Sequence, residues 1–125
     1  MEVLAHLIYE YRKRLRSLAL FTFHSSKLEK VEERLRNHGI KFIVQHVSET
    51  KMNVFFGDEP CIKIVEKFAD RMLYELTPEE DFILGIMLGY DRMQQCERYI
   101  HRNQLQSSRY NFQIINGNTA QVCYH

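Results

Sequence analysis

The sequence contains no tryptophan, only two prolines and five glycines among 125 residues, and three cysteines that form no C-x-x-C pair. An odd, scattered set of cysteines excludes a disulfide framework and points to a reducing compartment, so a cytoplasmic location is expected. The longest apolar run, Phe82-Ile-Leu-Gly-Ile-Met-Leu88, is far shorter than the roughly 20 residues that span a bilayer. No signal-peptide pattern opens the chain, because Glu2, His6 and Glu10 interrupt the apolar residues and Arg12-Lys13-Arg14 follows them. Excess charge is also missing. The formal net charge is +1, which excludes a strongly basic nucleic-acid track and an acidic disordered chain.

Chemical motifs are absent as well. Neither G-x-G-x-x-G nor G-x-x-x-x-G-K-[ST] occurs, so no glycine-rich phosphate cradle is present. There is no G-x-S-x-G elbow, no H-x-x-x-H and no H-E-x-x-H. No metal and no cofactor are expected; a metal site would need folding to bring His6, His24 and His46 together.

What the sequence does contain is patterned. Leu4, Leu7, Ile8, Tyr11 and Leu15 recur at helical spacing, and Leu18-Ala-Leu-Phe-Thr-Phe23 reads as a strand. Ser26 with Glu29 suggests a capping box for a helix carrying Leu28, Val31 and Leu35, stopped by Gly39. Two strands follow. Phe42, Val44, Val54 and Phe56 face one way, and Ile43, Val47 and Phe55 face the other. Asp58 is the expected cap of a helix with Ile62, Val65, Phe68 and Met72 on one side. Thr77-Pro78-Glu79-Glu80 is a capping box with proline at the first helical position, followed by a nearly all-apolar helix in which Gly85 and Gly89, four apart, allow one close helix contact and Gly89 also helps to end the helix. Asp91 and Gln94 open a last helix whose inner stripe is expected to be Met93, Cys96 and Ile100.

These elements predict an α+β fold: a three-stranded mixed sheet with about five helices, in which a central β-α-β-β-α unit is followed by two packed helices. Residues 1–102 form a single domain. Residues 103–125 read as a polar linker and a tail or hairpin (Tyr110–Ile115 and Asn118–Tyr124 joined at Asn116-Gly117), either part of the same domain or disordered. The second sheet face needs a cover, from the terminal helices or from a second subunit.

Charge is distributed unevenly. Residues 1–40 carry 8 Lys/Arg against 5 Asp/Glu, and residues 41–90 carry 5 against 9. The basic concentration Arg12, Lys13, Arg14 and Arg16 is the candidate surface for an acidic protein partner, with weak nucleic-acid binding as an alternative. Asp91, Cys96, Glu97, Arg98 and Tyr99 are the candidate pocket for an enzyme or small-molecule binder, Cys96 being the thiol whose chemistry would need exposure and a nearby base. Glu75, Glu79, Glu80 and Asp81 are explained by helix capping.

His6-Leu-Ile-Tyr-Glu-Tyr11, Asn53-Val-Phe-Phe-Gly57, Leu76-Thr-Pro-Glu-Glu-Asp-Phe-Ile-Leu-Gly-Ile-Met-Leu-Gly-Tyr-Asp91 and Gln95-Cys-Glu-Arg-Tyr99 together resemble a bacterial family, the domain of unknown function numbered 2023. The resemblance covers about residues 1–102. It implies three strands, five helices and a homodimer. Such proteins are associated with genes beside a flavodoxin, which implies an acidic redox partner. It implies no activity and no cofactor. The function expected is that of a small homodimeric protein-binding or accessory module.

Overall fold

The structure, a computed structural model, describes the backbone of residues 1–114 and the side chains of residues 1–105. Among the described residues it has α1 (Glu2–Arg12), β1 (Leu18–His24), α2 (Leu28–Asn37), β2 (Lys41–His46), β3 (Lys51–Gly57), α3 (Glu59–Glu66), α4 (Pro78–Met87) and α5 (Arg92–Ile114), with short 3-10 turns before α2 and before α4. The sheet order is β1-β3-β2. Both pairings are antiparallel, with Leu18 opposite Gly57 and Phe42 opposite Phe56. β1 and β2 therefore run parallel to each other with β3 inserted between them, and α2 makes the crossover.

Both faces of the sheet are covered by this chain's own helices. Ala19, Phe23, Val54 and Phe56 pack beneath α1 (Leu4, Ile8) and α2 (Val31, Leu35), with Phe42 and Val44 at the margin. Leu18 and Phe55, with Ile43 and Leu20 beside them, meet α3 (Ile62, Val65), Phe68 and α4 (Leu84, Leu88). The second face thus needs no subunit to cover it. Val47 does not join that face: β2 ends at His46, and Val47 is exposed in the turn to β3.

The far end of the second face is polar. Thr22 Oγ1 donates to Asn53 Oδ1 (2.6 Å), and Asn53 Nδ2 donates to Gln45 Oε1 (3.0 Å). Gln45 Nε2 in turn donates to the carbonyls of Ala69 (3.0 Å) and Arg71 (2.7 Å). Gln45 and Asn53 are buried, so this row satisfies groups that would otherwise be costly and ties the segment after α3 to the sheet. α3 stops at Glu66, so Met72, expected on its inner side, falls outside it.

Three helices end on the same pair of backbone bonds. In α2, Gly39 N–H donates to Arg36 and Ile40 N–H to Leu35; in α4, Gly89 N–H donates to Ile86 and Tyr90 N–H to Gly85. Gly39 (φ +66°) and Gly89 (φ +80°) take the left-handed conformation that this ending requires. In α1, Arg14 N–H donates to Tyr11 and Leu15 N–H to Glu10, but the left-handed residue is Arg14 itself, at φ +65°. The helix therefore stops before Leu15, which is 69% exposed instead of lying on the inner stripe.

Two expected caps differ. The His24 side chain, not Ser26, accepts from a backbone N–H at the start of the turn before α2. Asp58 precedes α3 without capping it; its carboxylate accepts from Tyr11 Oη (2.8 Å) and Arg14 Nη1 (3.3 Å). The Thr77–Glu80 box forms as expected, each side chain accepting the other's backbone N–H. Asp91 Oδ2 accepts from Gln94 N–H at the start of α5.

α5 does not stop at Arg102. It continues through residues 103–109, read from sequence as a linker, to Ile114. No proline or glycine interrupts Arg92–Ile114, and Gln104, Leu105, Gln106 and Arg109 are good helix formers. The first arm of the expected hairpin is therefore helical as far as Ile114, and Asn116-Gly117 with the second arm lies outside the described residues.

Candidate functional site

The basic concentration does not form one face. Arg12 is the last residue of α1, and its Nη1 lies 2.7 Å from His38 Nδ1 at the end of α2. Lys13 Nζ sits 5.8 Å from the centre of the Tyr9 ring. Arg14 turns the chain and reaches Asp58. Arg16 is inward: Nε donates to Glu10 Oε1 (3.0 Å) and Nη1 to the Leu88 carbonyl (3.0 Å), satisfying an orphan acceptor at the negative end of α4. Arg16 is thus a structural clamp between α1 and α4. The exposed cations left are Arg12, Lys13 and Arg14, joined by Arg34 from α2, with the His38 side chain just beyond that helix.

The residues 91–99 are likewise dispersed. Asp91 caps α5, and Glu97 is exposed. Arg98 pairs with Asp81 (2.7 Å), while Tyr99 Oη donates to Glu79 (3.1 Å) and its ring lies 5.4 Å from that of Phe82. Bonding to Glu79 raises the Tyr99 hydroxyl pKa above its ordinary value, so it is a poor general base. A groove of about 450 Å³ opens between β1, the turn before α4, and the α4–α5 pair, walled by Leu20, Leu73, Leu84 and Tyr90. Of the candidate pocket residues, Arg98 lines it; Asp91, Cys96, Glu97 and Tyr99 do not. Cys96 is half-buried. Burial, and then Asp58, pushes the Cys61 thiol up, away from thiolate chemistry.

Among the described residues no three His, Cys, Asp or Glu side chains stand together as metal ligands. His6 pairs with Glu10, and His24 and His46 terminate different strands. No helix among these residues is long and apolar enough to cross a membrane.

A third surface emerges from α4 and α5. The helices meet along Gly85, where an added Cβ would collide with the Gln95 side chain, and along Asp81, which holds Arg98 and Arg102. Leu84 and Leu88 turn toward the sheet. The opposite side of α4 carries Ile83 (45% exposed) and Ile86 (37%). On α5 the side turned away from Arg98 carries Met93 (66%), half-buried Cys96 and Ile100 (45%). Between the two helices the Phe82 and Tyr99 rings lie 5.4 Å apart. The stripe Met93, Cys96 and Ile100, expected inward, is therefore outward, and the side chains that pack α5 on α4 are Gln95, Arg98, Tyr99 and Arg102.

A comparison with curated proteins finds no match. The family described as Protein of unknown function (DUF2023) matches residues 2–102, and the chain belongs to that family.

Proposed function

We propose that the protein is a small homodimeric protein-binding module, an accessory to an acidic partner, whose two copies meet through the outer side of the α4–α5 pair. The observation that carries this reading is the set of exposed apolar side chains Ile83 and Ile86 on α4 and Met93 and Ile100 on α5, on a chain whose sheet is already covered on both faces. A single exposed apolar residue is ordinary, whereas several on two packed helices favour a surface that an assembly covers. A two-fold pairing lays each flank on its counterpart and makes a four-helix seam. α5 adds reach. Its 23 residues extend about 34 Å, more than twice the length of α4, so its second half runs beyond α4.

An unpartnered monomer has a melting temperature independent of its concentration, whereas a dimer gains stability by mass action. The melting temperature is expected to rise steadily as the protein is concentrated over two decades. A constant value, with the mass of a single chain throughout, would contradict the dimer.

A further inference from the structure

On the opposite side of the sheet, α1 and α2 leave a cleft between them. One part, of about 280 Å³, is floored by Ala5, Ile8 and Tyr9 and rimmed by Arg12, Arg34 and His38. A second part, of about 450 Å³, shares Arg34 and His38 and continues along α2 past Lys30. Arg12, Lys30 and Arg34 face it, with Glu33 the one carboxylate among its walls. Among the described residues neither Arg12 nor Arg34 is within ion-pair distance of a carboxylate, in contrast to Arg16, Arg36, Arg71, Arg98 and Arg102, which all are. Both helices end at this cleft, and their negative C-terminal ends account for cations there, but not for the apolar floor between them. Arg12 is aimed by His38: a guanidinium only donates, so His38 Nδ1 accepts in this contact. Lys13 over the Tyr9 ring adds a further cation at the edge of the floor.

We propose that this cleft binds an acidic peptide segment of a partner protein. One apolar side chain of that segment sits on Ala5, Ile8 and Tyr9, and its flanking carboxylates pair with Arg12 and Arg34. The charge argument selects the occupant, since two guanidiniums without a carboxylate partner among the described residues, set beside an apolar floor, match carboxylates around an apolar anchor. Aspartate or glutamate forks with arginine give direction, and the anchor gives much of the affinity. The inference takes from the preceding reading only that the partner is a protein, and does not need the dimer.

The test uses the full chain and a fluorescein-labelled peptide in which aspartates and glutamates flank a central leucine, with an asparagine/glutamine peptide of the same length as control. Fluorescence anisotropy at low salt is expected to show binding of the acidic peptide alone, weakened by salt as exposed charges are screened. Arg12→Glu/Arg34→Glu should weaken it roughly ten-fold or more. His38→Ala, which frees Arg12, should weaken it by about two- to five-fold. Circular dichroism checks that each variant is folded; both arginines are exposed. Equal binding of the neutral peptide, undiminished binding to the double variant, or no binding at all overturns the proposal. Binding of a single-stranded oligonucleotide in preference to the acidic peptide also overturns it. Ile86→Glu/Ile100→Glu should leave peptide binding intact, so that loss of the dimer and loss of the cleft are read separately.

Discussion

Arg71 and Glu80 form a two-pronged ion pair, Nη1 to Oε1 at 2.7 Å and Nη2 to Oε2 at 2.6 Å, and the same Glu80 closes the capping box by accepting from Thr77 N–H at 3.0 Å. The carbonyl of Arg71 is at the same time held by Gln45. One run of bonds therefore leads from the buried row Thr22–Asn53–Gln45 through the segment after α3 to the first turn of α4, and so fixes where the α4–α5 pair sits.

Glu80 should set an acid limit on that arrangement. Its bonds to Arg71, and then to Thr77, hold its pKa at about 2, below the ordinary 4.5. A carboxyl with a depressed folded pKa contributes its stabilisation in full above about 4.5 and loses it as pH falls toward 2. Glu80→Gln should therefore melt below the native chain near neutral pH, and the gap should close across that acid window. A gap that stays constant down to pH 2 would remove Glu80 from the account.

The polar row carries a second prediction. Gln45→Leu leaves Asn53 Nδ2 and the carbonyls of Ala69 and Arg71 without their partner. The expected loss is about 1–3 kcal/mol in urea unfolding, with faster amide exchange in residues 69–76. Unchanged exchange there would mean that the segment is held by its apolar contacts alone.

Gly57 is required by the approach of two strands. It sits at φ +156° opposite Leu18, and a Cβ on it would collide with the Ser17 carbonyl and lie 2.9 Å from Leu18 Cα. Those neighbours are backbone and cannot rotate aside. Gly57→Ala should cost about 2–3 kcal/mol by chemical denaturation. A loss within experimental error would show that β1 and β3 separate more easily than this packing implies.

Arg14 predicts a gain. It occupies the position that Gly39 and Gly89 fill in α2 and α4, and a left-handed residue with a side chain costs about 1–2 kcal/mol. Its pair with Asp58 is exposed and worth about 0–1 kcal/mol. Arg14→Gly should therefore raise stability by about 0.5–1 kcal/mol, read from the denaturation midpoint. A loss of stability would show that the Asp58 contact outweighs the backbone strain.

The order of elements could be read from the sequence because local signals agree there with tertiary packing. Thr77-Pro78-Glu79-Glu80 starts α4, Gly39 and Gly89 end helices, and the alternation Phe42, Val44, Val54, Phe56 puts those residues on one face. Periodicity failed where a stripe has no partner among the described residues. Met93, Cys96 and Ile100 repeat as an inner face does, and nothing in the pattern tells whether the covering surface belongs to the same molecule. It failed again at Gln45 and Asn53, polar residues buried because they satisfy each other. The cluster of Arg12, Arg14 and Arg16 was visible as charge. Its dispersal was not, because Arg14 turns the chain and Arg16 reaches a carbonyl 72 positions away.

The outward flank of α4 and α5 is the central claim, and light-scattering mass tests it most directly. The native chain should elute at about twice 15.1 kDa. Ile86→Glu/Ile100→Glu, with charges placed on an already exposed flank, should elute at the mass of one chain while keeping its circular dichroism. A native chain that is monomeric at high concentration, or a double variant that remains dimeric, would contradict it.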